Sequence, residues 1–172
     1  MKNTVPKTLP SLLGLLAVVF AVVMFTACGK GGKKNADSVP DVPPASVVDL
    51  ADVFTPEQEE MLTAVVAQFE RSSCGRMFVL TVHTTGDVPI ETYSLQIAND
   101  WKIASDGKDG VLLTFAMEDR RNRIEVSREW EDVLTDERCA GVLASIVPEL
   151  RAEQYAEACA KAVRAMEVYF PK

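Results

Sequence analysis

Residues 111–127 read VLLTFAMEDRRNRIEVS, and this stretch decides the fold. Val111 to Met117 is a continuous apolar run of strand length. A strand without polar alternation is buried on both faces, as at the centre of a sheet covered by helices above and below. Glu118-Asp119-Arg120-Arg121-Asn122 interrupts the run with a polar turn. Arg123 to Ser127 then alternates polar with apolar residues, the pattern of an antiparallel partner. A central strand and its returning hairpin neighbour are therefore expected.

Upstream, the polar loop SDGKDG leads into the central strand, and Ile90 to Ile103 precedes it. Ile90, Ser94, Ile97, Ala98 and Trp101 fall there on one stripe of a helix. Met77 to Thr84 (MFVLTVHT) is rich in β-branched and aromatic residues and reads as a strand, with a turn at Gly86 to Pro89. Thr55-Pro56-Glu57-Gln58 is a capping box with proline at the first helical position. Met61, Leu62, Val65, Val66 and Phe69 then recur at helical spacing, so a helix runs from Pro56 to about Ser72.

Downstream, Thr135 followed by Asp136 and Glu137 opens a helix through Val147, with acidic residues at the positive end of its dipole. Pro148 ends it. Ala152 to Tyr169 forms the last helix, with Ala156, Cys159, Val163 and Met166 turned inward. The order helix, strand, helix, hairpin, helix, helix predicts the α/β class. The expected architecture is a three-layer α/β/α sandwich on a small mixed β-sheet, in a single domain over residues 47–172.

The amino terminus has a different composition. Lys2 and Lys7 precede an apolar run from Leu12 to Phe25, followed by the small residues Thr26 and Ala27 and then Cys28. Basic, apolar and small in that order is a secretory signal, over residues 1–27. The run is shorter than the roughly 20 residues that a spanning helix needs. Phe25-Thr26-Ala27-Cys28 resembles the bacterial lipobox, which implies lipidation of Cys28 and a lipid anchor in the bacterial cell envelope, on the inner or outer membrane and facing the periplasm. Residues 28–46 carry Gly, Lys, Pro and Ser with almost no large apolar side chain, so a flexible tether is expected there.

The chain has 18 basic and 25 acidic residues, and only Lys2 and Lys7 lie before Cys28, so the mature part carries a charge near −9. Nucleic acid is not an expected partner of such a surface, whereas divalent cations are compatible with it. Zinc is not, because no C-x-x-C pair is present and His83 is the single histidine. Cys74, Cys139 and Cys159 leave one bridge or none, with Cys139 and Cys159 on neighbouring helices as a candidate pair.

Several strings resemble, in this order, those of the TPM domain family, which is named after a plant thylakoid lumen phosphatase, a photosystem repair protein and a worm receptor modulator. They are VVDLADVFTPEQEEML from Val47, FVLTVHTT, DWKIASDGKDGVLLTFA, DRRNRIEVS, Glu131 with Leu134-Thr135-Asp136, and Pro148, Arg151 and Tyr155. Lys102, Ala104, Ser127 and Asp132 stand where glycines are common in the family.

The candidate site residues are carboxylates in loops, where groups from distant parts of a chain converge. Asp49 and Asp52 precede the first helix, Asp106 and Asp109 precede the central strand, and Glu131 with Asp132 follows the returning strand. Calcium takes about six to eight oxygen ligands and fits such a set without histidine. The resemblance implies calcium, ahead of magnesium, at these loops. The same aspartates also suit plain capping and turn chemistry.

Two functions follow. One is a non-enzymatic, metal-binding accessory module that maintains a membrane-protein complex of the envelope. The other, implied by the resemblance, is a metal-assisted acid phosphatase acting on phosphate monoesters. The chain has no P-loop and no Ser/His/Asp set.

Overall fold

In the computed structural model, which describes residues 35–170, the apolar run lies at the heart of the sheet. The strands are β1 (Val47–Asp49), β2 (Arg76–Val82), β3 (Gly110–Ala116) and β4 (Arg121–Val126). The helices are α1 (Pro56–Ser73), α2 (Ile90–Asp100), α3 (Asp136–Ser145), α4 (Val147–Arg151) and α5 (Tyr155–Glu167), with a 3-10 turn at Arg128–Trp130. The sheet order is β1-β2-β3-β4. The first three strands are parallel and β4 is antiparallel to β3, so the sheet is mixed. Every residue of β3 is buried, as its unbroken apolar run requires.

Alternation along the strands divides the core into two layers. Leu80, Val82, Leu112 and Ala116 point to one face and pack against Ile90, Tyr93, Ile97, Ala98 and Trp101 of the α2 region. Met77, Val79, Val111, Leu113 and Ile124 point to the other and meet Leu62, Val66 and Phe69 of α1, Val142 of α3, and Val163 and Met166 of α5. The expected α/β/α sandwich is the observed one.

The differences lie at element ends. β1 is only three residues long, too short for a periodic signal. Thr135 caps α3 through the Arg138 N–H at 3.3 Å, but α3 ends at Ser145. Pro148 does not stop a helix; it occupies the first turn of α4, where its missing N–H leaves no bond unmade. The last helix starts at Tyr155 and not at Ala152, because Glu153 takes a left-handed φ of 57°. Lys102, at a family glycine position, likewise has φ 51° and ends α2 early. The candidate bridge does not form: Cys139 and Cys159 are buried free thiols.

The expected free tether is in part laid down on the domain. The Tyr93 hydroxyl donates to the Asp37 carbonyl at 3.1 Å, the Trp101 indole donates to the Pro40 carbonyl at 2.7 Å, and Val39 packs on the α2-side core. Donors from buried aromatics offset the ordering entropy that the strap's own composition does not. The signal segment and Cys28 lie outside the described residues. No helix among the described residues is long and apolar enough to cross a membrane.

Candidate functional site: an arginine-lined groove

The five expected metal ligands stand at two opposite ends of the sheet. Asp49 ends β1 opposite Thr81, which pairs onward with Phe115, so Asp49 and Asp52 belong to the end where the parallel strands exit. Asp106 and Asp109 lie in the loop entering β3, and Glu131 follows the end of β4, whose Val126 faces Val111. Five residues of strand separate the level of Gly110 from that of Phe115, roughly 17 Å at about 3.3 Å per residue. No single cation spans them.

Each carboxylate also has its own local task. Asp49 Oδ2 accepts the N–H groups of Val53 at 2.9 Å and Phe54 at 2.8 Å, and Oδ1 accepts the Thr81 hydroxyl. It fixes the entry to α1 as a turn-forming aspartate does. Asp52 is exposed, with φ 52°. Asp106 is ion-paired with Arg76 at 2.8 Å, so a guanidinium already neutralises that loop. Asp109 Oδ1 accepts the Ser127 hydroxyl at 3.0 Å, while Ser127 Oγ accepts the Gly110 N–H at 3.1 Å. Among the described residues no group of three or more His, Cys, Asp or Glu side chains is placed to hold a metal ion. The five residues do not fit the implied calcium as one site.

Glu131 lines a cavity of about 280 Å³ between β4 and α3, with Arg123, Glu125, Asp136 and Cys139. Arg123 Nε is paired with Glu125 at 3.0 Å within it. Burial, with Asp136 adding, pushes the Cys139 thiol up, so this sulfur is a poor nucleophile.

The larger cavity, about 440 Å³, opens where the parallel strands exit, between the β3–β4 turn and the α4–α5 junction. Phe115, Ala116, Met117, Val147 and Leu150 give it an apolar floor, and Arg120, Arg121, Asn122, Arg151, Glu153 and Tyr155 stand around it. The three arginines are exposed, and among the described residues none is ion-paired with a carboxylate. Guanidiniums grouped around an apolar floor have the chemistry to take an anion, because each offers a fork of donors matched to phosphate or carboxylate.

The chain holds this groove open on purpose-built turns. Met117 N–H donates to the Val82 carbonyl at 2.9 Å and Glu118 N–H to that of His83 at 2.8 Å, extending β3 past β2. Asp119 then accepts the Thr85 N–H at 2.8 Å and the Thr84 hydroxyl at 3.0 Å. Arg120 closes the turn at φ 52° and Glu153 closes the opposite rim at φ 57°, both in the left-handed region that non-glycine residues seldom adopt.

The strings that form the groove, DRRNR and Arg151 with Tyr155, lie about thirty residues apart in the chain. In the sequence they read as a polar turn and a helix end, within a chain whose net charge is negative. The available signal was the run of basic residues at Arg120, Arg121 and Arg123 in an acidic chain.

The family model for the TPM domain matches residues 47–169. No match is found among curated proteins. Among solved structures, the chain is similar to the N-terminal domain of a protein from P. gingivalis, with 26% identity, 72% of this chain and 80% of that chain covered, and a TM-score of 0.66. An N-terminal domain from Corynebacterium glutamicum follows at 17% identity, coverage of 80% and 87%, and a TM-score of 0.61. A protein from the psychrophilic Bizionia argentinensis has 20% identity, coverage of 69% and 84%, and a TM-score of 0.56. The last two likenesses bear on the fold alone.

Proposed function

The chain belongs to the TPM domain family, and from that premise we propose that it is a membrane-tethered accessory module of the bacterial envelope whose arginine groove captures an anionic group of its partner, a phosphoryl ester before a carboxylate. The observation that carries this reading is the convergence of Arg120, Arg121 and Arg151 on one groove with an apolar floor. Two or three guanidiniums on one phosphoryl group make charge-assisted, bidentate bonds, and the floor excludes water from one side of them. Tyr155 adds a hydroxyl that donates or accepts. Glu153 sets one negative charge in the same groove, which lowers the affinity for an anion without cancelling three guanidiniums.

The second reading is hydrolysis of phosphate monoesters at the same groove. Guanidiniums stabilise charge that develops on a phosphoryl group, which is the one feature of the site that favours turnover. The lining residues include no nucleophile hydrogen-bonded to a base, so capture is preferred. Calorimetric titration with phenyl phosphate, alongside hydrolysis of p-nitrophenyl phosphate with added calcium or magnesium, tests both. Binding lost in Arg151→Ala without detectable hydrolysis supports the accessory module. Equal binding by the variant would overturn the groove assignment, and turnover abolished by Arg151→Ala would favour the phosphatase.

A further inference from the structure

We infer that the anion taken by the arginine groove is the phosphate of a membrane lipid headgroup, so that the groove docks the domain on the bilayer that anchors the chain. This rests on the anion-binding reading above and names its ligand.

The first observation is where the strap meets the domain. The Asp37 N–H donates to the Thr84 carbonyl at 3.1 Å, and the Asp37 carboxylate accepts the His83 N–H at 2.5 Å. His83 and Thr84 directly follow β2, and Thr84 and Thr85 are the residues that Asp119 holds. The point at which the chain enters the domain and the turn that carries Arg120 and Arg121 therefore share one end of the sheet, linked by consecutive hydrogen bonds. The strap runs on the α2 face and the groove opens on the α4–α5 face, with the hairpin turn between them.

The second observation is chain length. Nine residue steps separate Cys28 from Asp37, at most roughly 32 Å when fully extended. The strap joins the domain at the groove end, so along the chain that end lies nearer to a lipid on Cys28 than the Asp106–Glu131 end does, by roughly 17 Å of strand.

The third is charge. The mature chain is acidic overall, but at physiological salt that repulsion is screened within about 8–10 Å, so only side chains close to the surface decide docking. A tether this short holds the domain at a millimolar effective concentration, at which weak contacts suffice. Each basic side chain near an anionic surface contributes on the order of fivefold, so Arg120, Arg121 and Arg151 less the one opposing charge of Glu153 leave on the order of twentyfold.

The test is hydrogen exchange on the full-length lipidated protein in nanodiscs of phosphatidylcholine, with and without phosphatidylglycerol. Exchange of amides 117–121 and 150–155 is expected to slow on the order of tenfold when phosphatidylglycerol is present. The triple variant Arg120→Glu, Arg121→Glu, Arg151→Glu, and the milder Arg151→Gln as a check on folding, should lose that protection wholly and partly. Arg128→Glu, at the opposite end of the sheet, should keep it. Equal exchange in both discs, or equal loss in Arg128→Glu, overturns the lipid assignment. If phenyl phosphate slows the same amides in neutral discs while phosphatidylglycerol does not, the groove takes a soluble or protein-borne phosphate and only the present inference falls. If neither ligand acts, the anion-binding reading falls with it.

Discussion

The carboxylate of Asp119 accepts the backbone N–H of Thr85 at 2.8 Å, joining the turn after β3 to the loop after β2. That bond, with those from the Thr84 hydroxyl, holds the segment that presents Arg120 and Arg121. The Asp119→Asn variant keeps the shape and loses the charge. It should lower stability by about 1.5–3 kcal/mol, the range for a hydrogen bond to a charged group, and weaken phosphomonoester binding in proportion as the turn loosens. Denaturant unfolding and calorimetry on the same variant measure both.

Glu153 is the carboxylate that lines the groove. Its replacement in Glu153→Gln removes repulsion toward a bound anion while leaving the rim in place. Affinity for phenyl phosphate should rise several-fold, since one like charge at close range near a protein surface is worth about 1 kcal/mol or more. A fall in affinity would mean that Glu153 takes part in holding the ligand.

Gly75 tests the joint between α1 and β2. A Cβ built there lies 2.1 Å from the Trp130 ring and 2.8 Å from the Asp109 carbonyl. Trp130 is itself wedged between Phe69 and Phe170, at centroid distances of 6.1 Å and 4.6 Å, and has no room to retreat. Gly75→Ala should destabilise by about 2 kcal/mol through overpacking, read as a lower denaturation midpoint with an unchanged m-value.

Alkali should unfold the protein. Burial pushes the Cys159 thiol from 9.0 up to about 12, and burial together with Asp37 pushes the Tyr93 phenol from 10.0 up to about 12. Both groups keep their protons more tightly when folded than when unfolded. Their contribution is fully present below pH 9, and it is lost as pH rises from there through about 12, because the unfolded chain gives up its protons first. Thermal midpoints should fall across that window, less steeply in Cys159→Ala than in the natural chain.

The fold was legible where patterns are long. The unbroken apolar run at Val111 to Met117 led to a central strand, and the capping box at Thr55 and Gln58 led to the start of α1. Short or contextual features were not. β1 has three residues, and the strap at Asp37 to Pro40 is ordered by donors from Tyr93 and Trp101 that lie about sixty residues away in the chain. The site was legible only as separate strings. Asp49 and Asp109 both read as loop carboxylates, and only strand direction reveals that they face away from one another along the sheet.

The most direct measurement is a chemical-shift map of the isotope-labelled protein titrated with phenyl phosphate. Saturable shifts confined to Arg120, Arg121, Asn122, Arg151 and Tyr155, which line one groove, are expected. Shifts centred on Asp106, Asp109 and Glu131, or none at all, would contradict the groove assignment.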